Sequence, residues 1–94
     1  QRHLAGAQSG YGYYSLRLPG RDEVAKQLKA RGVPTAIYYT TPLHQMPAFE
    51  RYAPARPLPA TEEVARDILS LPMHPYLTPD QVHYICDCVE AAVR

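Results

Sequence analysis

The sequence predicts a small α/β (α+β) two-layer sandwich, with a sheet of about three strands covered by helices. Three observations carry this. The run YYSLRLP over 13–19 alternates apolar and polar residues, the period of a half-buried strand. RDEVAKQLKARG over 21–32, and the stretch opened by Thr78-Pro79-Asp80-Gln81, combine helical periodicity with end signals. A second β-branched and aromatic run, Val33 to Tyr39, follows the first helix directly. The predicted order is strand, helix, strand, irregular segment, helix, short strand, helix.

Residues 1–12 carry Gly6, Gly10 and Gly12 and no apolar period, which predicts a loose lead-in to a domain spanning 13–94. In the first strand Tyr14, Leu16 and Leu18 share a face, and Pro19-Gly20 stops it. Val24, Ala25 and Leu28 form the apolar side of the first helix, with Asp22 and Lys26 as an i,i+4 pair opposite. Asp22 and Glu23 stand at its positive end and Lys29 and Arg31 near its negative end, and Gly32 closes it.

Val33 to Tyr39 is expected to be the second strand, so adjacent Tyr38 and Tyr39 would point to opposite faces. Thr40-Thr41-Pro42 ends it, and one short helical turn is expected over 48–52. Residues 53–59, APARPLP, hold too many prolines for a helix or central strand and read as an extended connector. Thr61 is placed to cap a helix EEVARDILSL, with Val64, Ala65, Ile68 and Leu69 facing inward. Leu71 to Pro75 is a candidate third, edge strand. Thr78 and Gln81 form a capping box with Pro79 at the first helical position. The helix they open is expected to turn Val82, Ile85, Cys86, Val89 and Val93 to the core and Cys88 away from it.

Ninety-four residues bound the chain to one domain. A 46% hydrophobic share is that of a globular chain. Net charge is +1 with acids and bases interspersed, so there is no field and no basic stripe for nucleic acid or an anionic membrane. No apolar run approaches the ~20 residues of a membrane span. The chain opens at Gln1 without an initiator methionine or signal-peptide pattern, and is expected to be a piece of something longer. Cys86 and Cys88, two apart on a helix, project about 200° from each other, which disfavours a disulfide and predicts a reducing, cytoplasmic setting.

His83, Cys86 and Cys88 lack a second ligand pair at metal-binding spacing, so no metal site is expected. There is no Gly-x-Ser-x-Gly, phosphate-binding loop or GxGxxG motif. The acid pairs Asp22-Glu23 and Glu62-Glu63 are explained as helix starts. The residues alone therefore show no complete catalytic apparatus. Eight tyrosines with no tryptophan and one phenylalanine read equally as core and rim aromatics or as a contact surface. His44, among prolines in a loop beyond a strand, stands where binding residues concentrate.

Several features occur in a telling order. Arg21-Asp22 opens the first helix, which ends at Arg31-Gly32-Val33. Tyr38-Tyr39 is followed by Pro42-Leu43-His44 and by Pro47-Ala48-Phe49. Leu69 to Pro75, LSLPMHP, precedes Leu77-Thr78 and the last helix. Over nearly all of 11–93 this set resembles the C-terminal small domain of the DegT/StrS-type nucleotide-sugar aminotransferases, which are pyridoxal-phosphate-dependent enzymes of fold type I. The chain departs from the pattern at Thr40, where the family has a proline directly after the aromatic doublet.

The resemblance implies an enzyme that makes amino sugars from keto-sugar nucleotides, with glutamate as amino donor. It also implies an upstream large domain that binds pyridoxal phosphate and a homodimer partner. The Schiff-base lysine would lie upstream, so the isolated chain is expected to be inactive. Tyr38, Tyr39 and His44 are the implied substrate-binding residues; no catalytic or metal-binding residue is assigned. The alternative is a stand-alone α/β ligand-binding or dimerisation module without catalysis, offering a tyrosine-lined groove or only dimer surface.

Overall fold

A computed structural model describes residues 4–94; the expectation of a loose lead-in over 1–3, and His3 with it, lies outside them. Residues 4–12 form no helix or strand. The ordered elements are β1 (Tyr14–Arg17), α1 (Arg21–Ala30), α2 (Pro59–Asp67), β2 (Ile68–Leu71) and α3 (Pro79–Val93). Two 3₁₀ turns, Leu43–Gln45 and Pro47–Tyr52, lie between α1 and α2, where one short turn was expected.

Strands β1 and β2 pair antiparallel, with Tyr14 opposite Leu71 and Arg17 opposite Ile68. The opposed Ser15 and Ser70 hydroxyls share a hydrogen bond of 2.8 Å. On the other side of β2 the expected strand over 33–39 is reduced to one bridge, Ala36 with Ser70, whose backbone bonds are 3.0 and 2.7 Å. Continuing that ladder would bring Pro34 opposite Pro72, and neither has an N–H to give. In the other direction the Ile68 carbonyl would serve Tyr38, but it accepts from the Arg21 guanidinium at 2.9 Å instead. Among the described residues the sheet thus has two strands and one flanking bridge, and Tyr38-Tyr39 lies outside it.

Helix α1 forms as its sequence predicts. Gly20 adopts φ +71 at its N-cap, and Gly32 adopts φ +76 just past its end. There the Gly32 and Val33 N–H groups donate to the Lys29 and Leu28 carbonyls at 3.0 and 2.9 Å. This is the Schellman arrangement, and its apolar contact is Val33 with Leu28. Lys26 pairs with Glu23 at 3.7 Å rather than with Asp22, which instead meets Arg21 at 2.6 Å.

Helix α2 corrects the expected boundaries at both ends. It starts at Pro59, with Leu58 rather than Thr61 at the N-cap, because proline's fixed φ suits the first helical position. It stops at Asp67, and Ile68–Leu71 is the strand, displacing the strand expected over 71–75. Arg21 accounts for the stop. Its guanidinium, buried at 7% exposure, donates to the Ala65 and Ile68 carbonyls at 3.4 and 2.9 Å, so the chain turns there without orphaned acceptors.

Val24, Leu28, Val33, Leu69, Ile85 and Cys88 form the core between α1, β2 and α3, and Val89 and Ala92 pack against it. The inward stripe of α3 is therefore Ile85, Cys88, Val89 and Ala92. Cys88 is buried and Cys86 exposed, the reverse of the expectation. Val82 and Val93 are also exposed. The helix phase is set across the α1 boundary: the Tyr84 hydroxyl donates to the Arg31 carbonyl at 2.9 Å, and the Arg31 guanidinium donates to the Cys88 carbonyl at 3.2 Å.

The capping box forms as read, with Gln81 N–H on the Thr78 hydroxyl and Thr78 N–H on the Gln81 side chain at 2.9 Å. Thr78→Ala should cost about 1 kcal/mol. Urea denaturation checks this.

Candidate substrate wall

The segment after Ala36 leaves the sheet and folds back over α2. It is stapled there by the Leu43–Gln45 turn, whose Gln45 and Met46 N–H groups donate to Pro42 and Leu43 carbonyls at 2.9 and 3.1 Å. Between this segment and α2 lies an open hollow of about 380 Å³. Tyr38, Tyr39 and His44 all line it, so the structure brings the three sequence-selected residues together. The expectation that the two tyrosines face opposite ways does not hold. They are not in a strand, and their rings meet edge-on at 5.6 Å.

Tyr38 also stacks obliquely on Tyr13 at 4.9 Å and lines a second hollow with His74 and Met73, so it is the ridge between two depressions. Tyr39 is the more open, at 67% exposure. The far wall of the first hollow is apolar, built from Leu58, Val64 and Ile68, with the Thr61 side adding a hydroxyl. Among the described residues no lysine or arginine lines it. Its chemistry is that of aromatic faces, a few hydroxyls and one imidazole, which suits the rings of a ligand better than its phosphates.

Two residues outside the sequence-based selection organise this wall. Arg21 holds Ala65 and Ile68 from behind. Glu62 holds His44: its Oε1 lies 3.1 Å from the imidazole Nε2 and also accepts the Leu58 N–H at 3.2 Å. The hydrogen bond with His44 holds the Glu62 carboxyl below its ordinary value of 4.5, with the Leu58 N–H adding to the effect and desolvation opposing it.

A carboxyl depressed in the folded state stabilises the fold above its unfolded value and loses that contribution as pH falls through the folded one. The gap in melting temperature between the wild type and Glu62→Gln should therefore be constant above about pH 4.5 and close only in more acid solution. Parallel thermal melts across that range would show it.

The hollow offers no lysine amine to pyridoxal phosphate. Lys26 and Lys29 stand on exposed positions of α1. The residues of this chain do not by themselves fit that cofactor. Among the described residues no group of three or more His, Cys, Asp or Glu is placed to hold a metal ion, and no helix is long and apolar enough to cross a membrane.

The profile of the DegT/DnrJ/EryC1/StrS aminotransferase family matches residues 3–90. The chain is 41% identical over 78 residues to the UDP-2-acetamido-2-deoxy-3-oxo-D-glucuronate aminotransferase of Pseudomonas aeruginosa, covering 83% of this chain and 21% of that protein. It is 39% identical over 77 residues to the dTDP-3-amino-3,4,6-trideoxy-alpha-D-glucose transaminase of Streptomyces venezuelae, covering 81% of this chain and 20% of that protein. A DegT DnrJ EryC1 StrS aminotransferase from Brucella abortus superposes with a TM-score of 0.87 at 38% identity, over 98% of this chain and 25% of that one. The chain thus spans between a fifth and a quarter of the length of these relatives.

Proposed function

The chain belongs to the DegT/DnrJ/EryC1/StrS aminotransferase family, and from that premise we propose that it is the C-terminal small domain, residues 13–94 after a lead-in, of a pyridoxal-phosphate-dependent sugar aminotransferase. The whole enzyme would transfer an amine, from glutamate, to a keto-sugar nucleotide. The large domain that binds the cofactor would lie upstream, and this chain would supply part of the substrate wall. The observation that carries the reading is the convergence of Tyr38, Tyr39 and His44 on one hollow in a chain of this family.

The chemistry of the hollow supports that role. Tyrosine rings present flat apolar faces to a base or pyranose, while hydroxyls and an imidazole select its polar edge. Phosphate-binding cations would have to come from elsewhere in the assembly. Exposed Leu43, Phe49, Tyr39 and Tyr52 beside so small a core support a partner surface: the upstream domain, a homodimer partner, or both. Both cysteines are free thiols, and the reading places the enzyme in the cytoplasm.

The test uses the full-length enzyme that carries this chain. His44→Ala should raise KM for the nucleotide sugar by about tenfold, the loss of one good polar contact. Tyr39→Phe should raise it less with little change in melting temperature, while His44→Ala should also lose the modest stabilisation of its bond with Glu62. Unchanged KM with lowered stability would return both residues to a structural role.

A further inference from the structure

We infer that Glu62 is a positioning residue that fixes the proton of His44 on Nε2 and so makes its Nδ1 a hydrogen-bond acceptor for a ligand hydroxyl or N–H. The inference rests on the reading of the hollow as a substrate wall. The geometry behind it is specific. His44 comes from a short turn and Glu62 from the first turns of α2, and the His44 Nε2 to Glu62 Oε1 distance is 3.1 Å. The His44 side chain is 14% exposed and that of Glu62 32%, so the pair is partly withdrawn from water.

The same carboxylate oxygen accepts the N–H of Leu58, the residue at the N-cap of α2. Glu62 is thereby held from two sides, by the imidazole and by a backbone N–H. It also stands near the positive end of the helix dipole, where a carboxylate is favoured. An ionised carboxylate only accepts hydrogen bonds, so Nε2 must carry the proton that joins them. In the neutral ring, Nδ1 is then left with its lone pair.

The consequence concerns ligand chemistry. A lone pair at Nδ1 seeks a donor, such as a sugar hydroxyl or a base N–H, and gives nothing to a phosphate oxygen. The absence of arginine and lysine from the lining among the described residues points the same way. Among the described residues the titratable groups that line the hollow beside His44 are Tyr38 and Tyr39, and neither is a competing cation.

The experiment is a double-mutant cycle in the full-length, cofactor-loaded enzyme, read together with nitrogen NMR of ¹⁵N-histidine-labelled protein, with the His44 signals identified by their loss in His44→Gln. In the wild type at neutral ring charge, Nε2 should show the shift of a protonated nitrogen and Nδ1 that of an unprotonated one. Glu62→Gln keeps the shape of the side chain but can also donate, so it should mix the two tautomers. It should also raise KM for the nucleotide sugar by about tenfold while leaving KM for the amino donor unchanged.

With His44 replaced by alanine, Glu62→Gln should add no further rise. Equal effects of Glu62→Gln with and without His44, or a wild type carrying its proton on Nδ1, would overturn the assignment of Glu62. A protonated Nε2 combined with no effect of His44→Ala on KM would leave the tautomer as assigned but overturn both the role of the pair in binding and the substrate reading of His44.

Discussion

Replacing Arg21 with alanine is expected to destabilise the fold by about 3 kcal/mol, because it removes charged hydrogen bonds and strands buried acceptors. The guanidinium is 7% exposed and donates to the carbonyls of Ala65 and Ile68, where α2 gives way to β2. Without it those carbonyls have no donor, and Ile68 is free to continue the helix or to recruit Tyr38. In a domain of this size such a loss lowers the melting temperature by about 15 °C. Arg21→Lys should recover only part of it, since a single ammonium cannot serve both carbonyls as Nη1 does while also meeting Asp22 as Nε does. Thermal and urea denaturation of the three proteins measures this. Equal stability of all three would mean that the junction is held by something else.

Leu28→Ala should cost about 3–4 kcal/mol. Leu28 and Leu69 are the two large side chains with no exposed surface, and both belong to a core cluster of only six buried residues among those described. So small a core has little to fill a vacated space, which keeps the cost off the lower end of the usual range. Cys86→Ala is the internal control, because Cys86 is exposed although the sequence pattern points it inward. It should lie within about 0.5 kcal/mol of wild type. A costly Cys86→Ala would mean that α3 packs in the other phase, and a harmless Leu28→Ala that the core lies elsewhere.

The features legible in the sequence were those fixed by neighbours in the chain. Helix α1 with its glycine end, the capping box of α3 and the strand around Ser15 depend on residues within a few positions of one another. What escaped depended on distant partners. The helix read through 62–71 breaks at Ile68 because Arg21, 47 positions away, takes its carbonyl. The strand read over 33–39 fails because Pro34 would face Pro72 and because of the same arginine. The phase of α3 was misjudged because Val82, Cys86 and Val93 are as apolar as the residues that face inward, and only the contacts of Tyr84 and Arg31 choose between the stripes.

The site divides in the same way. Tyr38, Tyr39 and His44 were singled out by residue type, position and family resemblance, and they line one hollow. Arg21 and Glu62 were seen but explained locally, as the opening of one helix and the charged start of another. A signal for Glu62 was present, since an acid near a proline-started helix can return to a backbone N–H. Its pairing with His44 crosses 18 residues of turn and connector, which no local pattern encodes.

On the reading proposed above, this chain is the small domain of a cofactor enzyme whose cofactor is held by another segment. The measurement that tests it most directly is borohydride reduction of the purified full-length enzyme, followed by mass spectrometry to locate any pyridoxyl-lysine. A single modified lysine outside these 94 residues is the predicted result. A modification at Lys26 or Lys29, or none anywhere in the protein, would rule that reading out.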